Sequence, residues 1–245
     1  MSVLYDKIGL NYANLRKPDP RIGTQISVAL GNPQSVINVG AGAGSYEPSD
    51  RDVIAVEPSR QMINQRYSAI RNVVQAQAEA LPFRDDTFDA ARAVLTVHHW
   101  GDQQKGIGEM LRVASEKLVI VTFDPLFRGF WLADYFPEIV TIDEAQMPPI
   151  EKFQSLIGPI VVHPIFIPHD CSDGFLGAYW RRPAAYLDEK VRAAISSFWA
   201  MDDISAGLDR LEHDLKTDVW QQRYGHLFER EQLDVGYRMI TATIS

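Results

Sequence analysis

A chain of 245 residues has room for one α/β domain with a covering addition, or at most for two small domains. Apolar residues make up 46% and charged residues 23%, which allows a full core and argues against global disorder. With 24 Lys and Arg against 32 Asp and Glu, the formal charge of −8 speaks against a non-specific nucleic-acid binder, which needs cations to displace counterions from phosphates. The single cysteine, Cys171, excludes an internal disulfide and a cysteine-based zinc cage. The first ten residues carry Asp6 and Lys7 and lack the apolar run of a secretion signal. No stretch approaches the roughly 18 apolar residues of a membrane span. A cytoplasmic protein with neither a membrane span nor a nucleic-acid partner is expected.

In chain order, an N-terminal helix carrying Tyr5, Tyr12 and Arg16 precedes a first strand at 36–40 and a second at 52–56. A helix over 59–69 starts at Ser59, a good N-cap after Pro58, and a third strand follows at 72–75. The fourth strand, 90–97, leads to a helix over 102–114, capped by Asp102 and apolar at Ile107, Met110, Leu111 and Val113. A fifth strand at 117–123 runs into a segment, 126–159, rich in aromatics (Phe127, Phe130, Trp131, Tyr135, Phe136, Phe153) and broken by Pro137, Pro148 and Pro149. It reads either as core helix and loop or as a lid over the substrate side, because insertions in α/β folds gather at the ligand-binding edge. A sixth strand at 160–167, a long amphipathic helix over 203–222 (Ile204, Leu208, Leu211, Leu215, Val219) and a last strand at 235–244 complete the order. Short β-rich runs between helical patterns predict a single domain over 1–245, an α/β fold with a doubly wound, seven-stranded, mostly parallel sheet.

The strongest local signal is Val36-Ile-Asn-Val-Gly-Ala-Gly-Ala-Gly44, a buried strand that runs into glycines at alternate positions. Glycine permits a sharp turn and lets a ligand approach the backbone closely. One strand later, Glu57 ends Asp52-Val-Ile-Ala-Val-Glu57-Pro-Ser, where a carboxylate beside the glycine loop can accept hydrogen bonds from both hydroxyls of a ribose. A dinucleotide would need G-x-G-x-x-G and a helix N-terminus for its pyrophosphate. Counted from Gly40 the third position is Ser45, counted from Gly42 it is Glu47, and only 45–51, with Pro48, separates the loop from the next strand. That leaves about a turn of helix, so a nucleoside without phosphate fits better.

These residues resemble the first motif and ribose-binding acid of the class I S-adenosylmethionine-dependent methyltransferases, in particular the small-molecule group that includes the ubiquinone and menaquinone biosynthesis type. Gln77-Ala-Glu-Ala-Leu-Pro-Phe83 with Asp86-Thr-Phe-Asp89, Val94-Leu-Thr-Val-His-His-Trp100 and Glu109-Met-Leu-Arg-Val113 are similar to the following blocks of that family. The resemblance covers about 5–123 and resumes weakly at the last strand. It implies a Rossmann-like sheet with an antiparallel last strand and S-adenosylmethionine as cofactor. Gly40, Ala41 and Gly42 would line its methionine and ribose side, and Glu57 would hold the ribose with Pro58 and Met62 near the adenine. Gln77, Ala78 and Glu79 would border the adenine edge, and Leu95 and Thr96 the amino-acid part. Arg16 is either a bidentate partner for the cofactor carboxylate or a solvated surface residue. The chain departs from the family at Asn38, where an acid is usual, and at Gln77, where Asp is common.

Methyl transfer from a sulfonium is an in-line displacement, so the protein mainly aligns donor and acceptor and removes a proton where the nucleophile carries one. His98 and His99, at the mouth of the fourth strand, and His169, in a polar cluster with Asp170, are the candidate catalytic histidines, each with a structural hydrogen-bonding role as the alternative. Trp100, Trp131 and Trp180 are candidate walls for the substrate. His163 and His169 lack a third ligand, so no metal is expected. The function that follows is methyl transfer to a small molecule, hydrophobic or aromatic, at oxygen, nitrogen or carbon. A non-catalytic cofactor-binding or interaction protein and a nicotinamide-dependent oxidoreductase are the alternatives.

Overall fold

The structure, a computed structural model, describes residues 16–66 and 72–244. Among these residues seven strands form one sheet, in the order β3-β2-β1-β4-β5-β7-β6. The strands are β1 (Ser35–Val39), β2 (Asp52–Val56), β3 (Val73–Val74), β4 (Phe88–Val94), β5 (Ala114–Phe123), β6 (Val161–Pro168) and β7 (Gln232–Thr243). The first five are parallel where they pair, with Val36 opposite Val53 and Asn38 opposite Arg92. The last strand, β7, runs antiparallel between β5 and β6.

Alternation along the strands sorts the core onto two faces. Ile37, Val39, Ala91, Ala93 and Ile120 pack with Ile107 and Met110 of α3 (Gln103–Val113) and Phe153 of α5 (Ile150–Ile157). Val36, Ala90, Val119 and Val121 face the other way, toward Ile22, Ile26 and Leu30 of α1 (Pro20–Leu30) and a helical cap contributed by the C-terminal half. The N-caps read from sequence are present. Ser59 accepts from the Met62 N–H at 3.3 Å and opens α2 (Arg60–Asn64), and Asp102 accepts from the Lys105 N–H at 3.0 Å and opens α3.

The cap is held by aromatic packing. Trp131 meets Trp220 edge to face at 5.3 Å and donates its indole N–H to the Trp180 carbonyl at 2.8 Å, while Trp180 donates to the Ile167 carbonyl at 2.9 Å. Those partners satisfy the polar edge of rings whose faces are buried. α4 (Glu138–Gln146) lies beside this cluster and against α7 (Ser196–Trp199), which follows α6 (Glu189–Arg192).

Four expectations about elements are corrected. The fourth strand stops at Val94 rather than 97, because Leu95 takes φ +51° and the chain turns into a single 3₁₀ turn over Val97–His99. The long helix over 203–222 is two helices, α8 (Ser205–Lys216) and α9 (Val219–Tyr224), broken where Asp218 adopts φ +61°. Residues 45–51 contain turns and bends but no helical turn. Arg16 lies in a non-helical stretch before α1, and Tyr5 and Tyr12 lie outside the described residues. Of the predicted helix over 59–69, α2 ends at Asn64, Gln65 and Arg66 form a turn and a bend, and 67–69 lie outside the described residues.

Candidate active site

At the end of β1 the chain reverses through glycines in the left-handed region, with φ +70° at Gly40, +54° at Gly42 and +96° at Gly44. A Cβ on Gly40 would stand 2.1 Å from Thr96 Oγ1, so both the backbone conformation and the neighbour require glycine there. The Gly40 and Ala41 N–H groups both donate to the Val56 carbonyl, at 2.8 and 2.9 Å, which folds the loop over the end of β2. Glu57 is thereby fixed. One carboxylate oxygen accepts from the Gly42 N–H at 2.8 Å and the other from the Ser59 N–H at 2.9 Å. The side chain is almost fully buried, and burial raises its pKa against the pull of those N–H groups and of Arg66. Each oxygen keeps acceptor capacity, which suits the two hydroxyls of a ribose.

Beneath the loop, Glu47 is buried in an ion pair with Arg66 at 2.6 Å and accepts from the Asn38 amide at 2.8 Å. The carboxylate that the family resemblance implies at the position of Asn38 thus has a neighbour in Glu47, its charge offset by Arg66. A diphosphate finds no helix N-terminus between β1 and β2 and meets this carboxylate under the loop, so the geometry disfavours the dinucleotide alternative.

A cavity of about 410 Å³ opens over the C-terminal ends of the parallel strands, where open α/β sheets bind ligands. Gly40, Ala41 and Gly42 from the loop and Glu57, Pro58 and Met62 from the end of β2 and α2 lie on its wall. Gln77, Ala78 and Glu79 after β3 and Leu95 and Thr96 after β4 complete this half of the wall. An S-adenosyl group fits this set: a carboxylate for the sugar, apolar Met62 and Ala78 beside a base, and side-chain-free backbone at the turn.

The histidines are placed differently from the expectation. His98 and His99 reach the cavity, but from a 3₁₀ turn and not from an alternating strand, with ring centroids 3.8 Å apart. Burial pushes His98 well below its ordinary pKa and His99 down to about 4, so both are neutral at pH 7 and weak as bases. His169 is not on the wall. Its ring, just past the end of β6, lies 2.5 Å from Arg181 Nη2 and 3.2 Å from Glu231, the residue before β7. Arg16 is on the wall, yet its Nε pairs with the buried Asp173 at 2.7 Å, which takes up charge that a cofactor carboxylate would need. Trp100 lines the cavity, whereas Trp131 and Trp180 belong to the aromatic cap. Burial raises the Cys171 thiol to about 12, the state of an inert core cysteine.

The far half of the cavity was not read from sequence. Phe123 ends β5, and Tyr237 lies opposite it on β7, their rings edge to face at 5.4 Å, with Phe175 at 4.8 Å from Tyr237. Met147 and Asp143 come from α4 and its C-cap, and Ile195, Ser196 and Ser197 from the start of α7. The aromatics of 126–159 mostly fill the cap, and Asp143 and Met147 are that segment's contribution to the wall. Asp143 is 5% exposed, and its carboxylate makes no hydrogen bond to any described residue. Burial lifts its pKa to about 7 against the opposing field of Arg128. Its signal was in the sequence. Ile139, Asp143 and Met147 recur every four residues, which sets a carboxylate in the buried stripe of a helix.

Comparisons with known proteins agree with this geometry. The model of a family described as methyltransferase domain matches residues 37–120, the span from β1 into β5. A solved structure from Anabaena variabilis, provisionally named a methyltransferase from an antibiotic biosynthesis pathway, is 33% identical with a TM-score of 0.87. The match covers 94% of this chain and all of that one. A 2-methyl-6-phytyl-1,4-hydroquinone methyltransferase of Oryza sativa is 32% identical over 83 residues, 34% of this chain and 25% of that protein. A demethylmenaquinone methyltransferase of Renibacterium salmoninarum is 33% identical over 106 residues, 40% of this chain and 45% of that protein. The chain thus spans less than half the length of these curated relatives. With the fold, the glycine loop and the full-length likeness together, the chain belongs to the class I S-adenosylmethionine-dependent methyltransferases.

Proposed function

We propose that the protein transfers a methyl group from S-adenosylmethionine to a small apolar or aromatic acceptor. The observation that carries this is the continuity of one cavity from Glu57, at the end of β2, to Tyr237 and Asp143, beyond the ends of β5 and β7. Four strand spacings separate β2 from β7 in the sheet, on the order of 20 Å, enough for a nucleoside and an acceptor end to end. Glu57 holds the ribose hydroxyls, the backbone of Gly40 to Gly42 and the Leu95–Thr96 turn border the amino-acid part, and Met62 with Gln77 to Glu79 encloses the adenine. The bound cofactor supplies an electrophilic methyl on a sulfonium. This chain's residues align the acceptor against it and exclude water, with α4 and the start of α7 as the lid.

The apolar far half, built on Phe123, Phe175, Leu176 and Met147, supports a ring-bearing acceptor. Two relatives are named for a hydroquinone and for demethylmenaquinone, which is consistent with that class. A cytoplasmic location is part of the proposal and rests on composition, with one buried thiol and no described helix long and apolar enough to cross a membrane. Titration calorimetry tests the cofactor half. S-adenosylmethionine and S-adenosylhomocysteine bind, and Glu57→Ala weakens both roughly 10- to 100-fold, because the ribose hydroxyls lose their charged acceptor and the loop loses the carboxylate that fixes it. Tight binding of NADH with no response to either sulfur nucleoside would refute the proposal.

A further inference from the structure

Of the acidic and basic side chains on the cavity wall, most are already engaged. Glu57 is held by two backbone N–H groups, Glu79 accepts from the Asp102 N–H at 3.1 Å, and Arg16 is paired with Asp173. Asp143 differs. It is 5% exposed, lines the far half of the cavity and has no hydrogen-bond partner among the described residues. A carboxylate that opens only onto a largely apolar cavity is poorly solvated, and a ligand that brings an N–H or O–H supplies a donor. Arg128, in the loop after β5, is the cation whose field reaches Asp143, and it is itself paired with Glu144 at the surface. The other carboxylate of this region, Asp173, is already occupied by Arg16 and by the Tyr46 hydroxyl at 2.6 Å. The same cavity is lined by the Phe123, Phe175 and Tyr237 rings, which suit an aromatic body.

Resting on the methyltransferase reading above, we propose that Asp143 is the general base of the reaction and that the acceptor is a hydroxylated aromatic compound methylated on oxygen. The acceptor's O–H bond breaks and its proton passes to an Asp143 carboxylate oxygen. The oxygen's electron pair forms the new O–CH₃ bond, while the pair of the breaking S–CH₃ bond stays on sulfur. The sulfonium becomes a neutral thioether, the carboxylate a neutral acid and the acceptor a neutral methyl ether, and Asp143 then returns its proton to solvent. The alternative bases, His98 and His99, are held neutral and weak by burial, whereas burial tunes Asp143 to near neutrality. Arg128 is the charged group whose field acts on Asp143, and the Tyr237 hydroxyl, on β7, feels the Asp143 charge in turn. The α7 side presents the uncharged Ser196 and Ser197, and Asp134 of the neighbouring turn is tied to Arg223 and Tyr224.

The experiment compares the full chain with Asp143→Asn and Asp143→Ala, using labelled S-adenosylmethionine and a panel of phenols and catechols beside matched arylalkylamines. The methylated atom is identified by mass spectrometry and NMR. Phenols are methylated on oxygen, with kcat rising through a midpoint near neutral pH. Asp143→Asn lowers kcat about 100-fold or more and flattens the rise. S-adenosylhomocysteine affinity stays within twofold, which shows that fold and cofactor site are intact, and added formate restores part of the rate of Asp143→Ala. Methylation confined to amines or to carbon overturns the proposal. So does an unchanged pH profile in Asp143→Asn, or no turnover of any phenol by an enzyme that binds the cofactor. Loss of S-adenosylhomocysteine binding by the unaltered chain would instead fell the underlying methyltransferase reading, and this proposal with it.

Discussion

Asp143→Asn is expected to stabilise the fold at pH 8 relative to the unaltered chain, and to do so less at pH 5. The carboxyl titrates near 3.8 when exposed and at about 7 when folded, because burial penalises its charged form. A folded pKa raised in this way gives stability that is fully present below the unfolded pKa and lost as pH rises through the folded one. Between pH 5 and pH 7 the loss amounts to about 1.4 kcal/mol per unit, or about 3 kcal/mol in all. Water entering the cavity screens part of this, so a range of about 1–3 kcal/mol is the working figure. Asparagine has the shape of the protonated acid and no charge, so the variant escapes the loss, and every other titrating group cancels in the difference between the two proteins. For a chain of this size the gap in melting temperature should widen by roughly 3–10 °C between pH 5 and pH 8. Calorimetric melts of both proteins at four pH values measure it. Parallel curves across that range would show that Asp143 ionises like an exposed acid, and the argument for its burial and for its role as a tuned base would fall together.

Two further outcomes follow from the loop and the histidine turn. Gly40→Ala sets a Cβ 2.1 Å from Thr96 Oγ1 at a φ of +70°, so cofactor affinity should fall more than tenfold with a loss of at least about 1–2 kcal/mol of stability, read by calorimetry and thermal melts. An alanine variant with unchanged affinity would mean that the turn is not the cofactor's seat. The His98 and His99 imidazoles, with pKa values depressed by burial, should show no NMR titration between pH 6 and pH 8. Their contribution to stability is present above the unfolded value near 6.5 and is lost as pH falls toward the folded values. A midpoint near 6.5 in either resonance would return them to the list of bases.

The fold and the cofactor half were legible because both are written in backbone constraints. A parallel sheet buried on both faces demands apolar runs such as Leu118–Val121 and, Asn38 apart, Val36–Val39, and alternate glycines mark a turn that only a residue without Cβ makes easily. Glu57 follows a buried strand by one residue, so its position at the strand end is fixed once the strand is known. Boundaries failed where a single residue left the periodic conformation. Leu95 and Asp218 are L residues with positive φ, and neither hydrophobic spacing nor composition reports such a torsion. Arg16 reaches the cavity wall, but its ion pair was not foreseen. Its partner Asp173 is 157 residues away, and a long-range ion pair leaves no local trace.

The acceptor half resists sequence reading because it is assembled from several distant segments: the end of β5, α4, residues 175–176, the start of α7 and β7. None of them carries a motif, since the wall of an apolar pocket is chemically indistinguishable from core. The aromatic richness of 126–159 pointed to this side of the molecule, but most of those rings went into the cap, where Trp131 and Phe136 stabilise the platform that carries α4. What separates pocket from core is the polar residue that core would not tolerate. Ile139, Asp143 and Met147 share one helix face, and a carboxylate in that stripe has either a buried partner or a ligand to meet. The described residues supply no hydrogen-bond partner, so the exception in the hydrophobic pattern, and not the pattern itself, is the feature on which the proposed acceptor position rests.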